Sequence, residues 1–205
     1  MPRRPRLYIP GVSLHIFPRG INRLAIVRDD WDVEHLLQAI VTAAGQHDVA
    51  IHAYAIMKTH YHLIATPSGE GRLGKMMQSI GIRHTKHFNR KYSRIGTLWN
   101  ERYDAALLED ERYWYNCLRY VDLNAFRAQL VASPEEYRWS SYRTHAFGER
   151  CDWLTPHPLY VRLGPTSQLR QAAYRAMAGV PLTDVELAAQ RLPPRGIIRP
   201  LHVIA

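Results

Sequence analysis

Cysteine is scarce: Cys117 and Cys151 are the whole complement of a 205-residue chain. Two residues make no disulfide framework, and their spacing fits no zinc finger. A reducing, cytoplasmic setting is therefore expected. Long apolar runs are missing as well. None approaches the roughly 20 residues that cross a bilayer, so no membrane partner is expected. The opening "MPRRPRLYIPG" is basic but has no long apolar stretch, unlike a secretory signal. Internal repeats and low-complexity segments do not occur. The most uneven absence is of acids. From Gly71 to Asn100 there is no Asp or Glu, yet Arg72, Lys75, Arg83, Lys86, Arg90, Lys91 and Arg94 all fall there.

What is present agrees with that bias. The chain is 46% hydrophobic and 10% aromatic, enough for a real core, and carries a net charge of +9. Such a balance favours an anionic partner, nucleic acid first of all. Within the acid-free run lie His84, His87, Phe88, Tyr92 and Trp99. Basic groups neutralise phosphates and aromatic faces stack on unpaired bases. A solvated helix face explains the charges but not the missing acids.

The hydrophobic periods outline the elements. "VSLHIF" (12–17) reads as a strand closed by the Pro/Gly/Asn turn "PRGINR". "WDVEHLLQAIVTAAGQHD" has helical spacing at Val33, Leu36, Leu37, Ile40, Val41 and Ala44. "VAIHAYAIM" (49–57) and "HYHLIAT" (60–66) read as a hairpin across Lys58-Thr59, with Val49, Ile51, Ala53, Ala55 and Met57 on one face. A basic helix over 71–94, a strand near 103–108 and a helix from about Asp110 to Asn124 follow. Residues 150–205 read as an appendage with short helices, one near 166–179. Connections this short exclude several parallel crossovers, so an α+β fold with an antiparallel sheet flanked by helices is expected.

The stretch "MKTHYHLIATP" (57–67) carries the chemistry. On a strand, His60 and His62 face the same way, about 7 Å apart at Cα, and two imidazoles so placed can converge on one divalent ion. Two half-exposed strand histidines would read the same way. A catalytic ion needs further ligands and an open position. In "YWYNCLRYVDLNAFRA" (113–128), Tyr120 and Asn124 stand one helical turn apart, with Trp114, Leu118 and Val121 on the adjacent apolar stripe. Asn124 can offer a carbonyl oxygen to a hard cation. A phenol beside a divalent ion and a basic, aromatic surface can attack a DNA phosphodiester. That leaves a phosphotyrosine and a free sugar hydroxyl, and the link can be attacked again by another strand end. An amphipathic-helix tyrosine with its ring in the core is the bland alternative.

"THYHL" resembles the histidine–hydrophobe–histidine (HUH) motif of single-tyrosine transposases, and "YVDLNAFRA" resembles the helix that carries their nucleophile. "FPRGINR" and "GTLWNERYDAALLED" match in kind and order, so that the resemblance spans roughly residues 8–145. It lies nearest the REP-associated tyrosine transposases of the IS200-like group. The resemblance implies a ferredoxin-like or RRM-like HUH domain over 1–149, with 150–205 as a C-terminal helical appendage. It implies a metal-dependent endonuclease and strand transferase that cuts single-stranded DNA near hairpins, using Mg²⁺ or Mn²⁺. His60 and His62 become metal ligands, Asn124 a third ligand and Tyr120 the nucleophile. Arg3, Arg4, Arg6 and Arg19 would grip DNA together with Arg83, Lys86, Arg90, Lys91 and Arg94. The partner would be a REP-like palindrome in the nucleoid, met by a monomer or homodimer. A domesticated hairpin-binding protein without transposition is the second reading. Two departures stand out. Lys58-Thr59 replaces the family's Pro-Asn before the first histidine, and Asn124-Ala125 replaces Asn-Pro, so the helix is expected to run further. Tyr113, Tyr115, Tyr103 and Tyr92 are rival nucleophiles.

Overall fold

A computed structural model describes residues 9–190. Four strands build one antiparallel sheet: β1 (Leu14–Phe17), β2 (Val49–Ile56), β3 (Tyr61–Pro67) and β4 (Asp104–Leu107), in the spatial order β2-β3-β1-β4. Helix α1 (Asp30–Gln46) connects β1 to β2, and α2 (Arg72–Lys91) connects β3 to β4. This βαββαβ order is the ferredoxin-like arrangement that the resemblance implies, and the antiparallel α+β sheet is the one the element pattern predicts. β2 and β3 form the expected hairpin, closed by a turn in which Met57 N–H donates to the His60 carbonyl at 2.8 Å.

The helices start where capping chemistry allows. Asp29 accepts from the Asp32 amide at 3.0 Å ahead of α1. Asp110 accepts from the Tyr113 amide at 2.7 Å ahead of α3 (Glu111–Asp122). Each carboxylate satisfies an amide that the helix itself leaves unpaired.

Two apolar layers cover the sheet. On one face Leu14, Ile16, Tyr61 and Leu63 meet Leu36 and Ile40 of α1 and Met76, Ile80 and Phe88 of α2. On the other, Ala53, Ala55 and Ile64 meet Trp114, Cys117, Leu118 and Val121 of α3. The small alanines let α3 approach the sheet closely.

One expected feature of β2 changes. Val49 and Ile51 do not share a face with Ala53 and Ala55. The β2–β3 register shifts between Ile51 and Ala53. A bulge at His52 flips the alternation, so Val49, Ile51, Tyr54 and Ile56 pack towards α1 and α2 while Ala53 and Ala55 pack towards α3. The buried His52 ring is held by the Thr155 carbonyl at 2.7 Å and the Thr66 hydroxyl at 2.8 Å.

After a short turn, α4 (Asn124–Arg127), come α5 (Tyr142–Phe147), α6 (Pro158–Val161), α7 (Ser167–Ala178) and α8 (Asp184–Gln190). They pack on α3 and around its C-terminal carboxylate. Asp122 is buried and accepts from His145 Nδ1 at 2.7 Å, from the Tyr174 hydroxyl at 2.5 Å and from the Ser141 hydroxyl. Three donors from α5, its N-cap and α7 thus hold one carboxylate two residues beyond Tyr120. Tyr174→Phe should lower the unfolding free energy by about 2 kcal/mol, because it removes a buried bond to a charged acceptor. Urea titration measures it; no change would detach α7 from the fold's stability.

Candidate active site

The strand period sets the first part of the site. Tyr61 and Leu63 point to the α1/α2 layer, so His62 and Ile64 point to α3. His60 lies just ahead of β3, paired in an isolated bridge with Arg19. Its ring stands perpendicular to that of His62, with centroids 5.1 Å apart. Phe17, from the end of β1, stacks on His62 at 4.7 Å and meets His60 edge-on at 4.9 Å. His15 on β1 pairs in register with Ile64, so it shares the α3 face. Its Nε2 lies 2.9 Å from His62 Nδ1.

These imidazoles are neutral at pH 7. Burial pulls the pKa of His15 down to about 4. Burial and then the Arg19 charge pull His60 down to about 4. His62 falls well below its ordinary value through burial, neighbouring imidazoles and the Arg127 and Arg19 charges. A neutral imidazole keeps one lone pair, as a metal ligand requires.

The hydrogen bonds say where that lone pair lies. The Asn124 amide nitrogen donates to His62 Nε2 at 3.2 Å. His62 then carries its proton on Nδ1 and donates to His15 Nε2. The remaining proton sits on His15 Nδ1, a buried nitrogen with no partner. This tautomer puts the His62 lone pair on Nε2, where the Asn124 amide now engages it and where a cation could take the amide's place, with His15 against the ring's other nitrogen. If the Asn124 amide turns over, it presents an oxygen to the same spot. Among the described residues no three His, Cys, Asp or Glu side chains form a metal-holding group. The residues that could hold a cation here are His60, His62 and the Asn124 amide. This set suits a hard divalent cation that retains places for water and substrate oxygens.

Helix α3 brings up the phenol. Tyr120 is half-buried, edge-on to His62 at 5.5 Å and to His15 at 5.8 Å between ring centroids. The Arg127 guanidinium lies over its ring at 4.7 Å. The helix does not run on past Asn124 as expected. α3 ends at Asp122, Leu123 leaves helical geometry (φ −91, ψ 8), and α4 begins a separate turn. The break lets Leu123 and Ala125 both bury while Asn124 still reaches His62.

The rival tyrosines are engaged elsewhere. Tyr113 donates to the Ala189 carbonyl at 3.2 Å, Tyr115 to the Leu159 carbonyl at 2.9 Å and Tyr92 to Asp32 at 2.7 Å. Tyr103 packs on the opposite, α1/α2 layer.

The expected DNA-gripping residues are spread unevenly. Arg3, Arg4 and Arg6 lie outside the described residues. Arg19 is exposed beside His60, its guanidinium 4.9 Å over the Phe17 ring. Lys86 and Arg90 are exposed on α2, and Arg83 there donates to Gln46 at 3.1 Å. Lys91 is already neutralised: its ammonium lies 2.6 Å from Asp29 and 2.9 Å from the buried Asp32. Arg94 folds back on Asn89 at 3.1 Å and over Phe88. The acid-free run thus receives acids from α1 rather than presenting seven bare cations.

The family model described as IS200-like transposase matches residues 9–124. The chain belongs to the IS200-like transposase family. The match begins ahead of β1 and ends on Asn124, so it holds His15, His60, His62 and Tyr120 and stops short of Arg127. A solved REP-associated tyrosine transposase bound to a REP hairpin is 17% identical and superposes with a TM-score of 0.61, over 77% of this chain and 93% of that one. At that identity it bears on the fold alone, and the α+β sheet agrees. A candidate transposase from Deinococcus radiodurans R1 is 16% identical over 66% of this chain and 97% of that one, with a TM-score of 0.42. The tRNA(His) guanylyltransferase of Saccharomyces cerevisiae is 11% identical over 87% and 82%, with a TM-score of 0.47. These two superpose too loosely to inform the fold. No curated protein matches the sequence. No helix among the described residues of this IS200-like transposase is long and apolar enough to cross a membrane.

Three members of the cluster escaped the sequence reading: His15, Phe17 and Arg127. Arg127 follows Tyr120 by two helical turns, a spacing that was visible. His15 and Phe17 join the site only because β1 lies beside β3, which no local pattern reveals.

Proposed function

We propose that this IS200-like transposase cuts and rejoins single-stranded DNA beside hairpins through a covalent tyrosine intermediate, with Tyr120 as nucleophile. One observation carries the reading. His62 has the His60 ring at 5.1 Å, the Tyr120 ring at 5.5 Å and the Asn124 amide at 3.2 Å, and both imidazoles are held neutral by burial.

His60, His62 and Asn124 would hold the cation, Mg²⁺ or Mn²⁺. Bound there, it supplies positive charge to the phosphate oxygens. The Tyr120 phenolic oxygen attacks phosphorus, the phenol proton passes to solvent water, and the bond from phosphorus to the sugar oxygen breaks. The sugar oxygen takes up a proton, leaving phosphotyrosine and a free hydroxyl. Arg127 over the ring favours the negative charge that develops on the phenol. Arg19, beside His60, is placed to meet an incoming phosphate. Reversal with a different strand end transfers the strand. The structure of a relative on a REP hairpin supports hairpin DNA with palindromic repeats as the substrate.

The test is incubation of the purified chain with a labelled single-stranded hairpin oligonucleotide and Mn²⁺. A labelled adduct that survives denaturing electrophoresis is expected; hydrolysis without an adduct would overturn the reading.

His15 gives a second measurement. His15→Phe keeps a ring in the slot but removes the acceptor for His62 Nδ1–H. Mn²⁺ affinity should fall about 10- to 100-fold, the usual effect of losing an outer partner. Calorimetric titration with Mn²⁺ measures it without DNA. Unchanged affinity would remove His15 from the site.

A further inference from the structure

Helix α3 carries the phenol on one flank and a buried carboxylate on the other. Its apolar stripe, Trp114, Cys117, Leu118 and Val121, lies on the sheet. At about 3.6 residues per turn, Tyr120 and Asp122 stand roughly 160° apart around the axis. Tyr120 faces His15 and His62. Asp122 faces the C-terminal helices, where Ser141, His145 and Tyr174 donate to it.

Beneath the stripe the sheet offers Ala53, Ala55 and Ile64. Apolar contact is non-directional, and small alanines give little relief to lock against. Such packing fixes the height of α3 above the sheet but not its roll. A roll of about 10° would swing the phenolic oxygen by more than about 1 Å, given the helix radius plus the length of the side chain. A misplacement of that size costs roughly 100-fold in rate.

A buried carboxylate is a costly way to join α3 to α5 and α7, since an apolar side chain would fill the space without desolvating a charge. Its hydrogen bonds, however, have direction. They also lead back to the sheet. Ser141 Oγ donates to Asp122 and accepts from the Tyr54 amide of β2 at 2.9 Å, and the Ser141 amide donates to the Tyr54 carbonyl at 2.9 Å. Ala55, the next residue of β2, pairs in register with His62. The carboxylate thus ties the roll of α3 to the strands beside the imidazoles. All three donors lie beyond Asn124, outside the span that the family model matches.

We infer that Asp122, held by Ser141, His145 and Tyr174, is a positioning residue that sets the roll of α3 and so the aim of Tyr120 at the phosphate. The inference rests on the tyrosine-nuclease reading above. It gives the C-terminal helices a part in the reaction through the one carboxylate that they grip. Asn124, two residues past Asp122 and beyond the break at Leu123, is steadied on His62 by the same anchor.

The experiment follows single-turnover adduct formation by the full chain with Mn²⁺ and a saturating labelled hairpin oligonucleotide, well below the Tm of every variant. Hairpin affinity is read separately by fluorescence anisotropy. Asp122→Asn keeps the shape and should slow the adduct about 10- to 100-fold, with affinity unchanged. Tyr174→Phe removes one distant hydroxyl and should slow it about 3- to 10-fold. Tyr174→Phe added to Asp122→Asn should cost little more, because both act through one network. Ile40→Val takes a methyl from the core on the other face of the sheet and should lower Tm without slowing the adduct. A normal rate in Tyr174→Phe, whether or not Asp122→Asn folds, would overturn the positioning role and leave the nuclease reading standing. So would equal slowing by Ile40→Val, which would make the effect one of stability. Absence of any adduct with the unmodified chain would overturn both.

Discussion

Tyr120→Phe should abolish the covalent adduct, a loss on the order of 10⁴-fold or more, while hairpin affinity and Tm stay close to those of the unmodified chain. The geometry makes the substitution clean. The Tyr120 ring packs edge-on to His15 and His62 and beneath Arg127, and phenylalanine keeps each of those contacts. Only the oxygen is lost. None of the four rival tyrosines is placed to substitute. The Tyr113 and Tyr115 hydroxyls are tied to carbonyls of the C-terminal segment, Tyr92 is bonded to Asp32, and Tyr103 lies beyond the sheet. Denaturing electrophoresis of labelled DNA after Mn²⁺ incubation reads the adduct, and anisotropy reads binding. An adduct formed by the Phe variant would show that Tyr120 is not the nucleophile. Binding by the unmodified chain with no adduct would instead favour a hairpin-binding protein that has lost strand transfer.

The order of elements was readable because each announced itself locally. Asp110 marked a helix start, and the apolar residues of α1 and α3 kept a helical period. The period of two in "HYHL" placed both imidazoles on one side. Long-range neighbours were not readable. His15 looks like an interruption of an apolar strand until β1 is set beside β3; only then does it meet His62. The bulge at His52 leaves composition and length untouched, so nothing local warned that β2 changes face. Lys91 belonged to a run with no acids, and its partners Asp29 and Asp32 come from about sixty residues earlier in the chain. The break at Leu123 follows from burying Leu123 and Ala125 together, a demand of the tertiary core rather than of helix propensity.

His60→Ala should reduce cleavage by more than 100-fold and weaken Mn²⁺ binding by at least as much. Losing an outer partner alone costs about 10- to 100-fold, and losing a donor should exceed that. His60 is a better probe than His62. His62 is fully enclosed, stacked on Phe17 and bonded to both His15 and Asn124, so truncating it would open a cavity and strand two polar groups. His60 is half-buried at the edge of the sheet, where its Nδ1 meets only the neighbouring Thr59 hydroxyl at 3.0 Å and its ring touches Phe17. Its removal should therefore leave Tm nearly unchanged, which separates loss of cation binding from loss of fold. Raised Mn²⁺ should recover part of the activity of His60→Ala and none of that of Tyr120→Phe, because the first variant lacks affinity and the second lacks the attacking atom. Equal cleavage by the unmodified chain in EDTA would remove the cation from the chemistry and leave Arg127 as the positive charge against the phenol.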